Sequence, residues 1–311
     1  MTASGCVTVH GELEVVPTAT KSEAAKALAD FTAAYNAADK AYDPALDADR
    51  VTGSLGAINQ AGLKARQKNN PGGNANHQTL ELTDARYLIP KKAGWPRWFV
   101  ADTDSNRDQD DGKQDTRWLV VFLRTGPGSG WRAAYLSVVP PSQLPAFAKD
   151  GDGQARPVSA DDGELSVAPK DLSTQYTSYL QKGTPDVWAP GGTTSGWREA
   201  RRNTRQAGFS YQYIDRPLDG GTFAPLGLET EDGGALVFFS SKHFEQQTAA
   251  KGLRPAVNAD VQALLSGEVK STLTKERVSS QLVYVPKKGA ANGGKVIVLN
   301  RLPGLTAAKG S

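Results

Sequence analysis

Arg117-Trp118-Leu119-Val120-Val121-Phe122-Leu123-Arg124, then Thr125-Gly126-Pro127-Gly128-Ser129-Gly130, then Trp131 through Val139: this stretch decides how the chain folds. β-Branched and aromatic residues fill both arms. The middle supplies glycines suited to positive φ and a proline that cannot continue a ladder, so the stretch reads as a β-hairpin. Its first arm is apolar on both faces, with Trp118, Val120 and Phe122 on one and Leu119, Val121 and Leu123 on the other. Such a strand needs cover on both sides. A helix is expected on one face, and the second half of the chain, or the segment joining the halves, on the other.

Upstream, Thr20-Lys21-Ser22-Glu23 has the form of a capping box, and Ala24, Leu28, Phe31, Tyr35, Ala38 and Tyr42 follow at helical spacing. Asp43-Pro44 ends that helix, because proline disfavours the helical conformation of the residue before it. A second helical stretch over 46–68 carries Gly53, Gly56 and Gly62, each costing about 1 kcal/mol relative to alanine, and is expected to be broken into pieces. Strands are predicted at 79–89 and 98–101 before the hairpin, with the polar tract 102–115 as a hydrated tip between strands. Downstream, 140–169 reads as a linker with a helical turn near 144–148. Asp171 is expected to cap a helix that Gly183 ends, and a further helix spans 195–206. Strands follow at 209–214, 222–229, 236–241, 272–285 and 295–301, with a short helix at 259–265.

A chain of 311 residues is long enough for two domains, each with its own core. Hydrophobic residues at 39% and charged residues at 22%, with 32 glycines and 18 prolines, describe a soluble, loop-rich globular protein. The formal charge of +3 is far from the strongly basic balance of a nucleic-acid binder, so no nucleic acid is expected as partner. No apolar run approaches the ~18 residues needed to span a bilayer. One cysteine excludes an internal disulfide and a Cys-rich metal site. Its setting, Ala3-Ser4-Gly5-Cys6, matches the end of a bacterial lipoprotein signal, where small residues precede a cysteine acylated on sulfur. The charged and apolar parts of such a signal do not precede it, so a leader beyond the given sequence is expected. Residues 7–19 then read as a tether from the membrane.

The order of elements repeats across the halves, and Leu63-Lys64-Ala65-Arg66 and Glu199-Ala200-Arg201-Arg202 each close a basic helix before the strands begin, roughly a domain length apart. One long helix followed by antiparallel strands resembles the NTF2-like or cystatin-like arrangement, the text Phe31-Thr32-Ala33-Ala34-Tyr35-Asn36-Ala37-Ala38-Asp39 and Val51-Thr52-Gly53 carrying the likeness. The whole chain further resembles uncharacterised surface lipoproteins of high-GC actinobacteria. The resemblance implies an α+β protein of two tandem domains, 20–155 and 165–311, each a helix packed in a curved antiparallel sheet, behind a tether at 1–19. Such folds host enzymes, ligand binders and interaction modules alike.

No residue constellation specifies a reaction. His10, His77 and His243 are isolated, and no serine-hydrolase elbow, phosphate-binding loop or dinucleotide fingerprint occurs. The tract from Asp102 to Gly112 begins like a calcium loop, but Arg107 stands where the turn needs glycine and Lys113 where the closing glutamate belongs. No metal, cofactor or catalytic residue is therefore assigned. Arg198, Arg201, Arg202 and Arg205 share one helix face. They suit an anionic envelope polymer, anionic headgroups or an acidic protein partner; alternatively they form a solvated face paired with Asp161, Asp162 and Glu164. Tyr35, Asn36, Tyr87, Trp98, Trp118 and Tyr135, with Arg86 and Arg124, are the candidates for a pocket inside the first domain, although aromatics at such positions are core by default. The leading expectation is a non-enzymatic, extracytoplasmic lipoprotein, anchored at Cys6, that binds an envelope protein or polymer. The alternatives are a regulatory lipoprotein restraining an envelope-stress sensor, and an enzyme or small-molecule binder using one of the two cones.

Overall fold

The computed structural model describes residues 14–109, 112, 114–290 and 293–311. Its first half comprises β1 (Val16–Pro17), α1 (Lys21–Ala41), α2 (Gly53–Asn69), β2 (Leu82–Leu88), β3 (Lys91–Lys92), β4 (Arg97–Ser105), β5 (Arg117–Arg124) and β6 (Arg132–Val139). The capping box forms as read: the Glu23 amide donates to the Thr20 hydroxyl at 3.1 Å and the Thr20 amide donates to the Glu23 carboxylate at 2.8 Å. The helix ends at Tyr42, whose φ of 52° turns the chain left-handed before Pro44. By contrast, α2 is a single helix of 17 residues, not the expected fragments. Tertiary packing offsets its glycine cost, because α2 lies against β6 and against strands of the second half, burying Leu55 and Leu63; full burial of each contributes about 2 kcal/mol.

Strands β2, β4, β5 and β6 form an antiparallel sheet in that order, with β5 and β6 as the expected hairpin. The hairpin is terminal, but at 9 residues β4 is longer than either of its arms. None of the three loop glycines takes positive φ. Arg124 closes the turn instead, its Nε donating to the Ser129 carbonyl at 2.8 Å and its Nη2 to the Pro127 carbonyl at 2.7 Å. Nor is 102–105 part of a hydrated tip: β4 runs on through Ser105, because Arg117 Nε donates to Asp102 at 2.7 Å and makes that buried carboxylate tolerable within the sheet.

The second half comprises α3 (Leu172–Lys182), α4 (Ser195–Asn203), β7 (Phe209–Leu218), β8 (Leu226–Glu229), β9 (Ala235–Ala249), α5 (Ala259–Ala263), β10 (Leu265–Ser266), β11 (Thr272–Val285) and β12 (Ile297–Gly310). Its sheet runs β10-β12-β11-β9-β7, with β8 pairing the start of β9. Strands β9 and β12 extend eight and nine residues beyond their predicted ends, β9 through a largely polar stretch and β12 through Leu302-Pro303-Gly304-Leu305-Thr306-Ala307-Ala308-Lys309-Gly310, whose proline and two glycines are unusual inside a strand. Asp171 makes no side-chain cap; a short 3-10 turn at Pro169–Asp171 leads into α3.

The two sheets pack face to face. Phe31, Phe99, Val120 and Phe122 fill the space between α1 and the first sheet, where Phe99 and Phe122 stack at 4.9 Å. The opposite face, with Trp98, Leu119, Val121 and Leu123, packs on Leu228, Leu236, Phe238 and Leu282 of the second sheet. Beyond that sheet, Tyr176, Trp188 and Phe239 fill the space under α3. The layers therefore run helix, sheet, sheet, helix, and the period-2 alternation read from 118–123 assigns each side chain to its observed face. The joining segment contains no helix at 144–148. It makes bridges to both halves, Pro90 with Ala155, Phe147 with Thr230 and Pro157 with Leu228.

Candidate anion-binding site

Helix α4 lies over the polar ends of the second sheet's strands. Thr194, just ahead of it, donates its hydroxyl to the Ala189 carbonyl at 2.7 Å and fixes the approach. Four-residue spacing then turns Trp197 and Arg201 inward together. Arg201 Nη1 and Nη2 donate to the two carboxylate oxygens of Asp215 on β7 at 2.7 and 2.9 Å, a bidentate pair with side chains 8% and 1% exposed. Arg198 stacks over Tyr179 at 5.1 Å, whereas Arg202 is exposed. Arg205 lies past the helix end, its Nη1 donating to the carbonyls of Arg202 and Thr204. Arg198, Arg201 and Arg202 line an open groove of about 210 Å³ with Leu180, Gln181, Tyr213 and Asp215.

Below α4, β9 contributes His243 and Glu245, β11 contributes Arg277, and β12 contributes Arg301 and Pro303. With Trp197, Arg201 and Tyr213 they enclose a second recess of about 180 Å³. The Trp197 ring is clasped by two guanidinium groups, Arg201 at 3.6 Å and Arg301 at 3.8 Å from its centroid. Arg301 Nη2 lies 3.3 Å from the His243 ring. Among the described residues no carboxylate lies within 4.0 Å of Arg301, and its Nε is buried without a hydrogen-bond partner. Burial lowers the Arg301 pKa to about 10, and burial followed by the nearby arginines lowers that of His243 to about 2, so the imidazole is neutral. Arg277 reaches Glu245 at 3.5 Å, and Lys275 reaches the same carboxylate at 3.0 Å. Four cations, Arg201, Lys275, Arg277 and Arg301, thus face two carboxylates, Asp215 and Glu245.

The family described as "Domain of unknown function (DUF8094)" matches residues 15–310, which contain the whole of this site. The chain belongs to the DUF8094 family. It is 55% identical over 313 residues to an uncharacterised lipoprotein of Streptomyces coelicolor and 51% identical over 312 residues to one of Streptomyces avermitilis, covering all of this chain and 92% of each relative. A second lipoprotein of Streptomyces coelicolor is 28% identical over 225 residues, covering 68% of this chain and 60% of the relative. No solved structure matches. Among the described residues no helix is long and apolar enough to cross a membrane.

In this DUF8094 chain the arginines of α4 do not pair with the joining segment. Asp161 holds Lys170, and the acid that Arg201 finds is Asp215, brought under it by β7. The six candidates for a first-domain pocket do not converge. Tyr35, Tyr87 and Trp118 border the α1 face, while Trp98 and Tyr135 are buried between the sheets, where the Tyr135 hydroxyl donates to the Ala224 carbonyl at 2.9 Å. Asn36 is a structural clamp: its amide donates to the Leu80 carbonyl at 2.9 Å and its oxygen accepts from the Leu80 amide at 2.7 Å. Arg86 pairs with Asp84 at 3.1 Å and borders an open cleft of about 610 Å³ that also exposes the Arg117 and Asp102 pair. His77 is not isolated, since its Nδ1 lies 2.8 Å from Asp39 of α1. Cys6 and His10 lie outside the described residues. Sequence reasoning missed Arg277, Arg301, Glu245 and the partnership of His243 with Trp197; for His243 and Glu245 the available signal was the alternation of apolar and polar residues continuing past the predicted strand end at 241, whereas Arg277 and Arg301 lie within predicted strands and only the strand register brings them together.

Proposed function

We propose that the protein is an extracytoplasmic lipoprotein, acylated at Cys6, that binds an anionic component of the cell envelope along α4 and catalyses no reaction. The observation that carries this reading is the positive charge around α4 and the strand ends beneath it, which exceeds the carboxylates there. The lipoprotein names of the 55% and 51% identical relatives support the location. The spaces between helix and sheet in both halves are packed with aromatic side chains, which leaves the surface around α4 as the better place for a ligand. In this reading each half, 20–155 and 165–311, is an NTF2-like or cystatin-like unit, supported by α1 on the first sheet and α3 on the second.

The test replaces Arg198, Arg202 and Arg205 together with glutamine and leaves Arg201, since removing Arg201 would strand a buried Asp215 at a cost of about 3–5 kcal/mol. The triple variant should bind phosphatidylglycerol vesicles or an anionic wall polymer at least about tenfold more weakly, and wild-type binding should fall with salt. Unchanged binding would leave α4 as a solvated face. Lipid labelling of the full-length gene product should disappear in Cys6→Ala.

A further inference from the structure

We propose that the recess under Trp197 binds a single phosphate group, as free phosphate or a phosphomonoester, held by Arg301 and Arg277. This rests on reading α4 as the anion-attracting face and names the group that enters beneath it.

Size comes first. At about 180 Å³ the recess is smaller than the ~300 Å³ and upward of a pocket for a drug-sized molecule, so it suits one small group. Charge sets the class. With Arg201 and Asp215 matched, and Glu245 shared by Arg277 and by Lys275, which stands just outside the lining, two positive charges remain in and beside the recess. A dianion balances them, whereas a carboxylate balances only one. Geometry supplies the donors. Arg301 projects from β12 with a buried Nε and no carboxylate partner among the described residues, and a guanidinium fork matches two phosphate oxygens at once. Arg277 stands on the neighbouring strand, in the row that pairs with His243.

The surroundings fix these donors in advance. Trp197 stacks on the Arg301 guanidinium, and neutral His243 lies against its Nη2, so the fork is held in place before any ligand arrives. Its pKa, lowered only to about 10, keeps it charged at neutral pH. Burying a guanidinium without a counter-ion is costly, and an incoming dianion offsets that cost.

Titration calorimetry of the full chain with inorganic phosphate near pH 7.5 tests the proposal, with acetate as the carboxylate control. Saturable one-to-one binding of phosphate is expected, with acetate at least about tenfold weaker, and with phosphate weakened about ten- to hundredfold by Arg301→Met and by Arg277→Gln. Should Arg301→Met fail to fold, Arg277→Gln decides, since Arg277 is only half-buried. No saturable binding up to about 10 mM phosphate, equal binding of acetate, or wild-type affinity in Arg277→Gln would overturn the site. The Arg198, Arg202 and Arg205 triple variant should keep its phosphate affinity, so failure of vesicle or polymer binding and failure of the recess are read separately. Phosphate displacing the protein from phosphatidic acid vesicles, whose headgroup is a phosphomonoester, would identify a lipid headgroup as the source; phosphate binding without displacement would identify a soluble phosphate compound.

Discussion

Asp47 and His243 set opposing pH dependences into the same fold. Asp47 is 1% exposed, with its oxygens accepting from the Asn59 and Gln60 side-chain amides, each at 2.5 Å, and burial raises its pKa to about 6. An acid whose folded pKa lies above its unfolded value near 3.9 holds its proton more tightly when folded, so stability rises as pH falls from about 6 to about 4. His243 acts in the other direction: its folded pKa of about 2 lies below the unfolded value near 6.5, so its contribution is intact above about 6.5 and is lost as pH falls. Each slope is about 1.4 kcal/mol per pH unit at most, and between about pH 6 and 4 the two largely cancel. His243→Gln should therefore remove up to about 2 kcal/mol of acid destabilisation between pH 6.5 and 5, and Asp47→Asn should make the protein more acid-sensitive. Urea melts from pH 4 to 7 check both, and a wild-type pH profile in His243→Gln would refute the account. Neither residue is legible in the sequence as a titrating group, because its burial depends on side chains distant along the chain.

Among the elements, legibility followed how locally each is specified. The α1 cap, its stop at Pro44 and the two faces of β5 are written in spacings of three or four and two residues, and the structure bears them out. The distal ends of β9 and β12 are not legible, because the polar residues of the first and the Pro303-Gly304 of the second lack a strand's signature, and pairing with β11 stabilises both. The candidate site divides along the same line. The arginines of α4 could be placed on one face from their spacing, whereas Arg277 and Arg301 meet only through strand register. Helix α2 departs from its local expectation because contacts with β6, β11 and β12 offset its glycine cost. Gly53 takes φ of +56°, and a Cβ there would lie 2.7 Å from the Thr222 carbonyl oxygen. Gly53→Ala should thus cost at least about 1–2 kcal/mol, seen as a lowered midpoint in denaturant. An unchanged midpoint would mean that the start of α2 can shift away from the second half.

At the level of the whole molecule, the apolar second face of the hairpin required cover, and the second sheet supplies it. Leu119 is fully buried there, so Leu119→Ala should cost about 2–5 kcal/mol. The two halves should also unfold in one transition, with near-ultraviolet and far-ultraviolet circular dichroism giving the same midpoint; two separated midpoints would show that the sheets part before either half melts. The second half was one of the two covers expected, the joining segment being the other; that α2 would reach across to β12 and α5 could not be read locally, since it depends on how the sheets dock. The bridges made by the joining segment have a consequence for proteolysis. Residues 151–153 form an exposed turn, open to a protease. A cut there would not divide the protein, because Ala155 and Pro157 on one side of the nick and Phe147 on the other bridge to strands of both halves, and the sheet-to-sheet core lies beneath them. The nicked chain would persist as two fragments in one folded body, so cleavage alone would release neither half from the other.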